Sequence, residues 1–339
     1  MLTKTPVGWL RDGWPKSNSR NGQRQAKCGI PRTSVCARTS GRKTWSVRRS
    51  RCASPEPGVP SHEKKTAACD RRRFFEHRAF HALPKTIRRR GNKGAGAILG
   101  FANFLLRPYE SEKPRAVLVG WDTLDKPTYR HEALESYQSG REFDDELAEQ
   151  LDILPEFVAA CGFASAKSAG YEANDFLAAA VAREDRRRGT TVVATGDRDA
   201  YQLASETTTI LQPIRAGEMT RIGPAEVRKR YGVEPTQVPD FIAIRGDASD
   251  RIPGAAGIGP VGAAALLRKF GSLENAIAAG RLANQADKLR LNRSIATMDK
   301  SAPLPALRNQ KPTWARAAVL ARDWQLNRLA DRMDHLARR

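Results

Sequence analysis

Two aspartates three residues apart, Asp247 and Asp250 in "RGDASDRIPGAAGIGPVGAAALL", run straight into a Gly-x-Gly turn that opens a helix. The acidic pair suggests a cation, and the turn suggests a phosphate. Held so close together, they suggest chemistry on a phosphodiester. Glu172 and Asp175 in "GYEANDF" repeat the three-residue spacing, which sets both on one face of a helix start. Asp122 follows the apolar run "AVLVGW", and Asp197 and Asp199 follow "TTVVAT". Seven carboxylates that converge repel one another strongly unless cations lie between them. Oxygen ligands, with no His or Cys at zinc spacing, favour hard divalent ions, Mg²⁺ or Mn²⁺. Two such ions, roughly 3.5–4 Å apart, would bind a scissile phosphate, activate water and stabilise the leaving oxygen. Each cluster alone has a plainer reading. Acids in a first helical turn favour the helix dipole, and Asp after a strand suits a turn. Their recurrence at the ends of elements is what points to metal.

For these acids to meet, a parallel sheet must present them at the carboxyl ends of its strands. "PRAVLVGW" (114–121), "TTVVAT" (190–195) and "TTTILQPI" (207–214) read as strands. "GAGAILGFANFLLRP" has helical spacing and is expected to end at Pro108. "DDELAEQLDILPEFVAACG" is an amphipathic helix that stops at Gly162 and is open to a kink at Pro155. "EANDFLAAAVAREDRRRG" is a helix with a basic last turn and a closing glycine. Alternating strands and helices predict a parallel sheet covered on both faces. After Pro239 the pattern is all helical, with no internal repeat. The expectation is an α/β domain over 76–238 and a helical domain over 239–339. In the turn Gly257-Ile258-Gly259, Pro260 suits a first helical position, and the backbone N–H groups there would hold a phosphate.

The net charge of +21 over 339 residues invites a nucleic-acid partner. Its distribution weakens that inference. Residues 1–93 hold 24 Lys/Arg against 5 Asp/Glu, and residues 94–339 hold 34 against 32. Residues 1–75 lack an apolar period and are rich in Arg, Ser, Gly and Pro, the composition of a solvated, disordered chain. No apolar segment follows Met1, and no run of about 18 apolar residues is present to span a membrane. Cys28, Cys36, Cys52 and Cys69 fit neither a zinc spacing nor a disulfide framework. Cys161, in an apolar stretch, reads as a small buried residue. A reducing, cytoplasmic compartment is expected.

"GDASDRIPGAAGIGPVGAAALLRKFGSLENA" resembles the helix–three-turn–helix of the 5′–3′ exonuclease/flap endonuclease family, which includes the 5′ nuclease domain of bacterial DNA polymerase I. "GYEANDFLAA" and "TGDRDAYQL" resemble its other acidic motifs, in order. "RAFHALP" resembles the end of its first motif, and "DTLDKPTYRHEALESYQSGR" its second acidic strand and arch. The similarity covers about residues 78–335. It implies a PIN-like or resolvase-like parallel sheet flanked by helices, plus a helical DNA-binding domain. It implies two-metal hydrolysis of DNA at 5′ ends and flaps. It matches Asp122, Glu172, Asp175, Asp197, Asp199, Asp247 and Asp250 to the metal-site acids, and Arg78 and Arg141 to residues that steer the scissile phosphate. Gly257, Ile258, Gly259 and Gly262 would meet the duplex backbone, with a K⁺ ion at the Gly257–Gly259 turn. Tyr137 falls in the arch segment, where substrate contact and core packing are both open. The absence of a polymerase portion implies a stand-alone bacterial enzyme of actinobacterial type, monomeric, cytoplasmic and nucleoid-associated. A PIN-like ribonuclease is disfavoured by the "GIGP" unit.

The sequence departs from the family at four positions. Asn174 stands where Asp is usual, so one metal should bind more weakly. Gln138 and Val261 stand where phosphate-facing Lys is common, which should lower the salt dependence of DNA binding. The family's first strand ends in an aspartate at the position of Arg71. Asp70 is one residue off and would serve only with a bulge, and "EKKTAACDRRRFF" reads poorly as a buried strand. A misplaced start or an upstream frameshift would account for residues 1 to about 75; a basic DNA-binding tail is the rival account. Loss of that aspartate and of the acid at 174 also opens a second function, a junction-binding protein with impaired catalysis.

Overall fold

Alternate strand residues serve two different cores. Leu118, Val193 and Ile210 belong to one apolar cluster, and Val117, Val119, Val192, Ala194 and Leu211 to another. That period of two marks a sheet buried on both faces. The computed structural model describes residues 65–70, 87–123, 126–138, 145–214 and 218–338, all within the unit Val59–Arg339. Its sheet contains β1 (Lys65–Asp70), β2 (Ala116–Gly120), β3 (Ala164–Ala166), β4 (Thr190–Ala194), β5 (Thr208–Pro213) and β6 (Met219–Ile222). The order is β3-β2-β1-β4-β5-β6, parallel throughout except for β6 against β5.

The centre of the sheet is a surprise. Lys65–Asp70, which reads poorly as a strand, pairs with β2 on one side and β4 on the other. A central strand needs a backbone donor and acceptor at each residue, and "KTAACD" supplies them with mostly small side chains after Lys65. Asp70 lies opposite Gly120 at the carboxyl end. The missing first strand expected from composition is therefore present, and it begins upstream of the expected boundary at 76.

One face of the sheet is covered by α5 (Ala173–Arg186), through Phe176, Leu177 and Ala180. The other is covered by α1 (Gly96–Glu112), α3 (Asp145–Asp152) and α4 (Leu154–Ala160), through Ile98, Phe101, Leu105, Leu151 and Phe157. Each such side chain contributes about 1.5–3 kcal/mol by leaving water. Helix α1 does not stop at Pro108 but runs on to Glu112, where Lys113 caps it in a left-handed conformation. Tyr109, packed edge-on against Trp314, and the Arg332 fork on Glu110 hold that last turn despite the donor that proline lacks. The stretch around Pro155 is two helices, broken at Ile153. Cys161 is buried, and burial pushes its thiol up to about 12.

Beyond β6 come α6 (Pro224–Tyr231), α7 (Val238–Arg245), α8 (Pro260–Phe270), α9 (Leu273–Ala278) and α10 (Ala286–Ala296), all tied to the α5 face. The last two helices, α11 (Trp314–Asp323) and α12 (Asn327–Ala337), join the opposite cluster through Trp314, Ala317, Leu329 and Met333. The regular elements of residues 239–339 are thus all helical, with α7 to α10 on the α5 face and α11 and α12 on the opposite one. The chain between them crosses the outer edge of β2. Gln310 donates its backbone N–H to Arg115, and its side-chain amide exchanges both hydrogen bonds with Val117. Strand β3 pairs only from Leu118 onward, so Gln310 finishes the ladder that β3 is too short to complete.

Candidate active site

The first turn of α5 gathers four of the acidic or amide side chains. Asp122, two residues past the end of β2, accepts the Ala173 N–H at 2.8 Å. Gly120 permits this approach, because a Cβ there would lie 2.7 Å from the Ala173 carbonyl. Glu172 is the N-cap of α5 and forms a capping box with Asp175, whose Oδ2 accepts the Glu172 N–H at 3.0 Å. Asn174 donates from Nδ2 to Asp197 Oδ2 at 2.7 Å. Asp197 itself caps the short helical turn Arg198–Leu203 after β4, accepting the Asp199 N–H.

A buried arginine supports this turn. Arg130, on α2 (Tyr129–Ala133), is 3% exposed and places its fork on both oxygens of Asp175 at 2.8 and 2.7 Å. It also lies 3.2 Å from Glu172 Oε2 and donates from Nε to the Ile295 carbonyl. Burial works against the guanidinium, but the hydrogen bonds and charge of Asp175 more than offset it and hold its pKa above the usual value. Burial also pushes the adjacent Tyr129 hydroxyl up, with Asp175 adding to the rise against the opposing charge of Arg130. Asp175 is fully buried and further accepts the Asp299 N–H. Its oxygens are engaged by protein donors, so its visible role is to anchor Arg130 rather than to face an open site.

The remaining acids line a cavity of about 820 Å³. Asp197 and Asp199 form one wall; Asp247 and Asp250, with Arg245 and Pro260, form the other. Asp247 pairs with Arg245 at 2.9 Å and accepts the Ser249 N–H, in a loop closed by a bridge to Ile252 rather than at a helix start. Asp250 is 6% exposed and accepts from Gln138 Nε2 at 3.0 Å. The Gly257–Gly259 turn follows this wall, and Gly259 is the N-cap of α8.

Four of the seven acids thus line the cavity, and the other three lie at the helix start joined to it by the Asn174–Asp197 hydrogen bond. Among the described residues no three His, Cys, Asp or Glu side chains form a ready-made metal cage. The donor set still suits hard divalent ions. It consists of carboxylates, and Asn174 adds an amide oxygen, Oδ1, that is buried without a hydrogen-bond partner. Asp197, Asp199 and Asp250, which line the cavity, and Asp122 beside it would hold the ions.

Tyr137 turns inward. It is 2% exposed, packs edge-on against His131, and donates to Glu172 Oε2 at 3.2 Å. Ile258 packs partly into the core, while Gly257, Gly259, Gly262 and Val261 are exposed, Val261 at 82%. Arg78 and Arg141 lie outside the described residues. Arg130 and Arg245 escaped the motif reading. Both lie within quoted stretches, but an arginine in sequence carries no mark of whether its charge will be buried against an acid.

Residues 73–232 match the family model for the 5′-3′ exonuclease N-terminal resolvase-like domain, and residues 233–315 that for the 5′-3′ exonuclease C-terminal SAM fold. The chain belongs to the 5′–3′ exonuclease family. The family match begins three residues after β1 ends, so the central strand is supplied by residues outside it. Among its relatives, DNA polymerase I of Mycobacterium tuberculosis is 33% identical over 270 residues, 76% of this chain and 29% of the polymerase. DNA polymerase I of Deinococcus radiodurans is 38% identical over 223 residues, 66% of this chain and 22% of the polymerase. The chain thus spans less than a third of the length of either relative. The bacteriophage T5 D15 flap endonuclease, solved as a pseudo-enzyme-product complex with DNA and metal ions, shares the fold. It has a TM-score of 0.56 at 17% identity, covering 81% of this chain and 100% of that one.

Proposed function

We propose that this protein is a metal-dependent, structure-specific 5′–3′ DNA nuclease, hydrolysing phosphodiesters at the 5′ ends or flaps of duplex DNA in replication or repair. The observation that carries this reading is that Asp197, Asp199, Asp247 and Asp250 line one cavity, that the acidic start of α5 with Asp122 is joined to it through the Asn174–Asp197 hydrogen bond, and that the glycine turn leads into Pro260 on its lining. Bound Mg²⁺ or Mn²⁺, as two ions, would supply charge stabilisation at the phosphate and an activated water. The protein's own residues hold that arrangement in place. Asp122 fixes the start of α5, Arg130 holds Glu172 and Asp175, and Asn174 orients Asp197. Gly257 holds a left-handed φ of 73°, which itself favours glycine, whereas Gly259 is extended and would leave an added Cβ in open space, so the protein's own backbone and packing do not demand glycine at 259. Close approach by a DNA backbone would demand it there, with K⁺ held at the same turn. Arg78 and Arg141 would steer the scissile phosphate. The protein would act as a monomer in the cytoplasm, at the nucleoid; no helix among the described residues is long and apolar enough to cross a membrane.

A 5′-labelled flap duplex incubated with Mg²⁺ or with EDTA, beside a single-stranded RNA, tests the reading. Cleavage of the flap with Mg²⁺ alone is expected. Asp197→Ala should lower the rate by roughly a hundredfold or more, the several kcal/mol that such ions supply. Binding of the flap without metal-dependent cleavage would favour a catalytically impaired junction-binding protein, the reading that Asn174 in place of an acid supports. Cutting of RNA alone would sink both.

A further inference from the structure

Gln138 stands where a phosphate-facing lysine would be expected, yet its side chain is occupied within the protein. Its amide donates to Tyr137 Oη at 2.8 Å and to Asp250 Oδ1 at 3.0 Å, which uses both of its N–H groups. Its backbone N–H approaches the Asp250 carbonyl at 3.3 Å. To make these contacts it holds a left-handed φ of 50°, uncommon for a residue other than glycine. Tyr137 passes the connection on by donating to Glu172 Oε2 at 3.2 Å. One line of hydrogen bonds, Glu172–Tyr137–Gln138–Asp250, thus joins the start of α5 to the lining of the cavity.

We propose that Gln138 is a positioning residue that aligns Asp250 for divalent cation binding, braced through Tyr137 against Glu172. The inference rests on the nuclease reading and deepens it. A neutral amide fixes a carboxylate while leaving its negative charge for a cation; an ammonium in its place would answer that charge itself. The side chain that departs from the family therefore exchanges a contact to the substrate for order in the acidic site.

The test is Mn²⁺ binding by the full chain without DNA, measured for wild type, Gln138→Leu, Asp250→Ala and the double variant. Gln138→Leu should weaken Mn²⁺ binding about tenfold, in the range for lost supporting partners of metal ligands. The double variant should bind no more weakly than Asp250→Ala alone, and DNA affinity in EDTA should be unchanged. Unaltered Mn²⁺ affinity in Gln138→Leu, additive losses in the double variant, or a loss confined to metal-free DNA affinity would each overturn the proposal. If wild type neither binds Mn²⁺ nor cuts DNA, the nuclease reading itself fails and takes the metal role of Gln138 with it. Urea unfolding midpoints of the same four proteins then still report the bridge: non-additive shifts uphold it, and additive shifts remove it as well.

Discussion

Arg130 is the residue on which the acidic site's geometry most depends, although it is not an acid. It satisfies Asp175 with a two-pronged fork and lies within ion-pair distance of Glu172, all three side chains being nearly inaccessible to water. Removing one partner of such a group leaves a buried charge without compensation. Arg130→Met should therefore cost about 3–5 kcal/mol in urea unfolding. Arg130→Lys should recover little, because an ammonium cannot reproduce the fork. A loss below about 1 kcal/mol, the level of an exposed pair, would show that the cluster is looser than its geometry indicates. The acids were legible from sequence because carboxylates at the ends of apolar runs are conspicuous. Arg130, Arg245 and the inward turn of Tyr137 were not, since each depends on which side chain another segment brings opposite. Gln138 shows the same limit: its departure from the family pattern was visible, but its partners, 112 residues away in the case of Asp250, were not.

The elements explain why so many polar groups meet at one place. Strands β2 and β4 end side by side with β1 between them, and α5 starts against the end of β2. The helix start then collects carboxylates because its first N–H groups lack partners within the helix. Strands with β-branched runs, and helices such as α5 with alanine-rich interiors and basic last turns, announce themselves by period and ends. Strand β1 did not, because "KTAACD" has neither alternation nor bulk, and its place is set by neighbours on both edges. The glycine turn before α8 allows a test confined to one element. Gly259 has extended backbone, with φ −88°, and nothing within 4 Å of an added Cβ, so Gly259→Ala should leave the melting temperature unchanged. The same methyl would hold a DNA backbone away. DNA affinity should fall on the order of tenfold, close to one lost hydrogen bond to a charged group. Equal affinity for both proteins would place the duplex elsewhere.

At the scale of the whole molecule, the earliest described strand occupies the middle of the sheet, and its two neighbours arrive about 50 and 125 residues later. A protein started at 76, where composition suggests the folded part begins, would lack that middle and leave β2 and β4 each without a partner on one edge. A protein started at Val59 would keep it. The longer of these two truncated forms should unfold in one cooperative urea transition. The shorter should show no such transition and should bind a dye for exposed apolar surface. Cooperative unfolding of the shorter form would mean that β1 is dispensable to the sheet.

The crossing at Gln310 bears on how this protein behaves in company. Wherever the flank of a sheet is left open, its row of peptide groups can recruit a strand from a neighbouring chain and seed aggregation. Here the stretch beyond β3's reach is closed by one carboxamide mimicking a peptide unit and by the main chain beside it. The returning C-terminal segment thereby acts as a selvedge, binding off the cloth where it would otherwise fray into contact with its own kind.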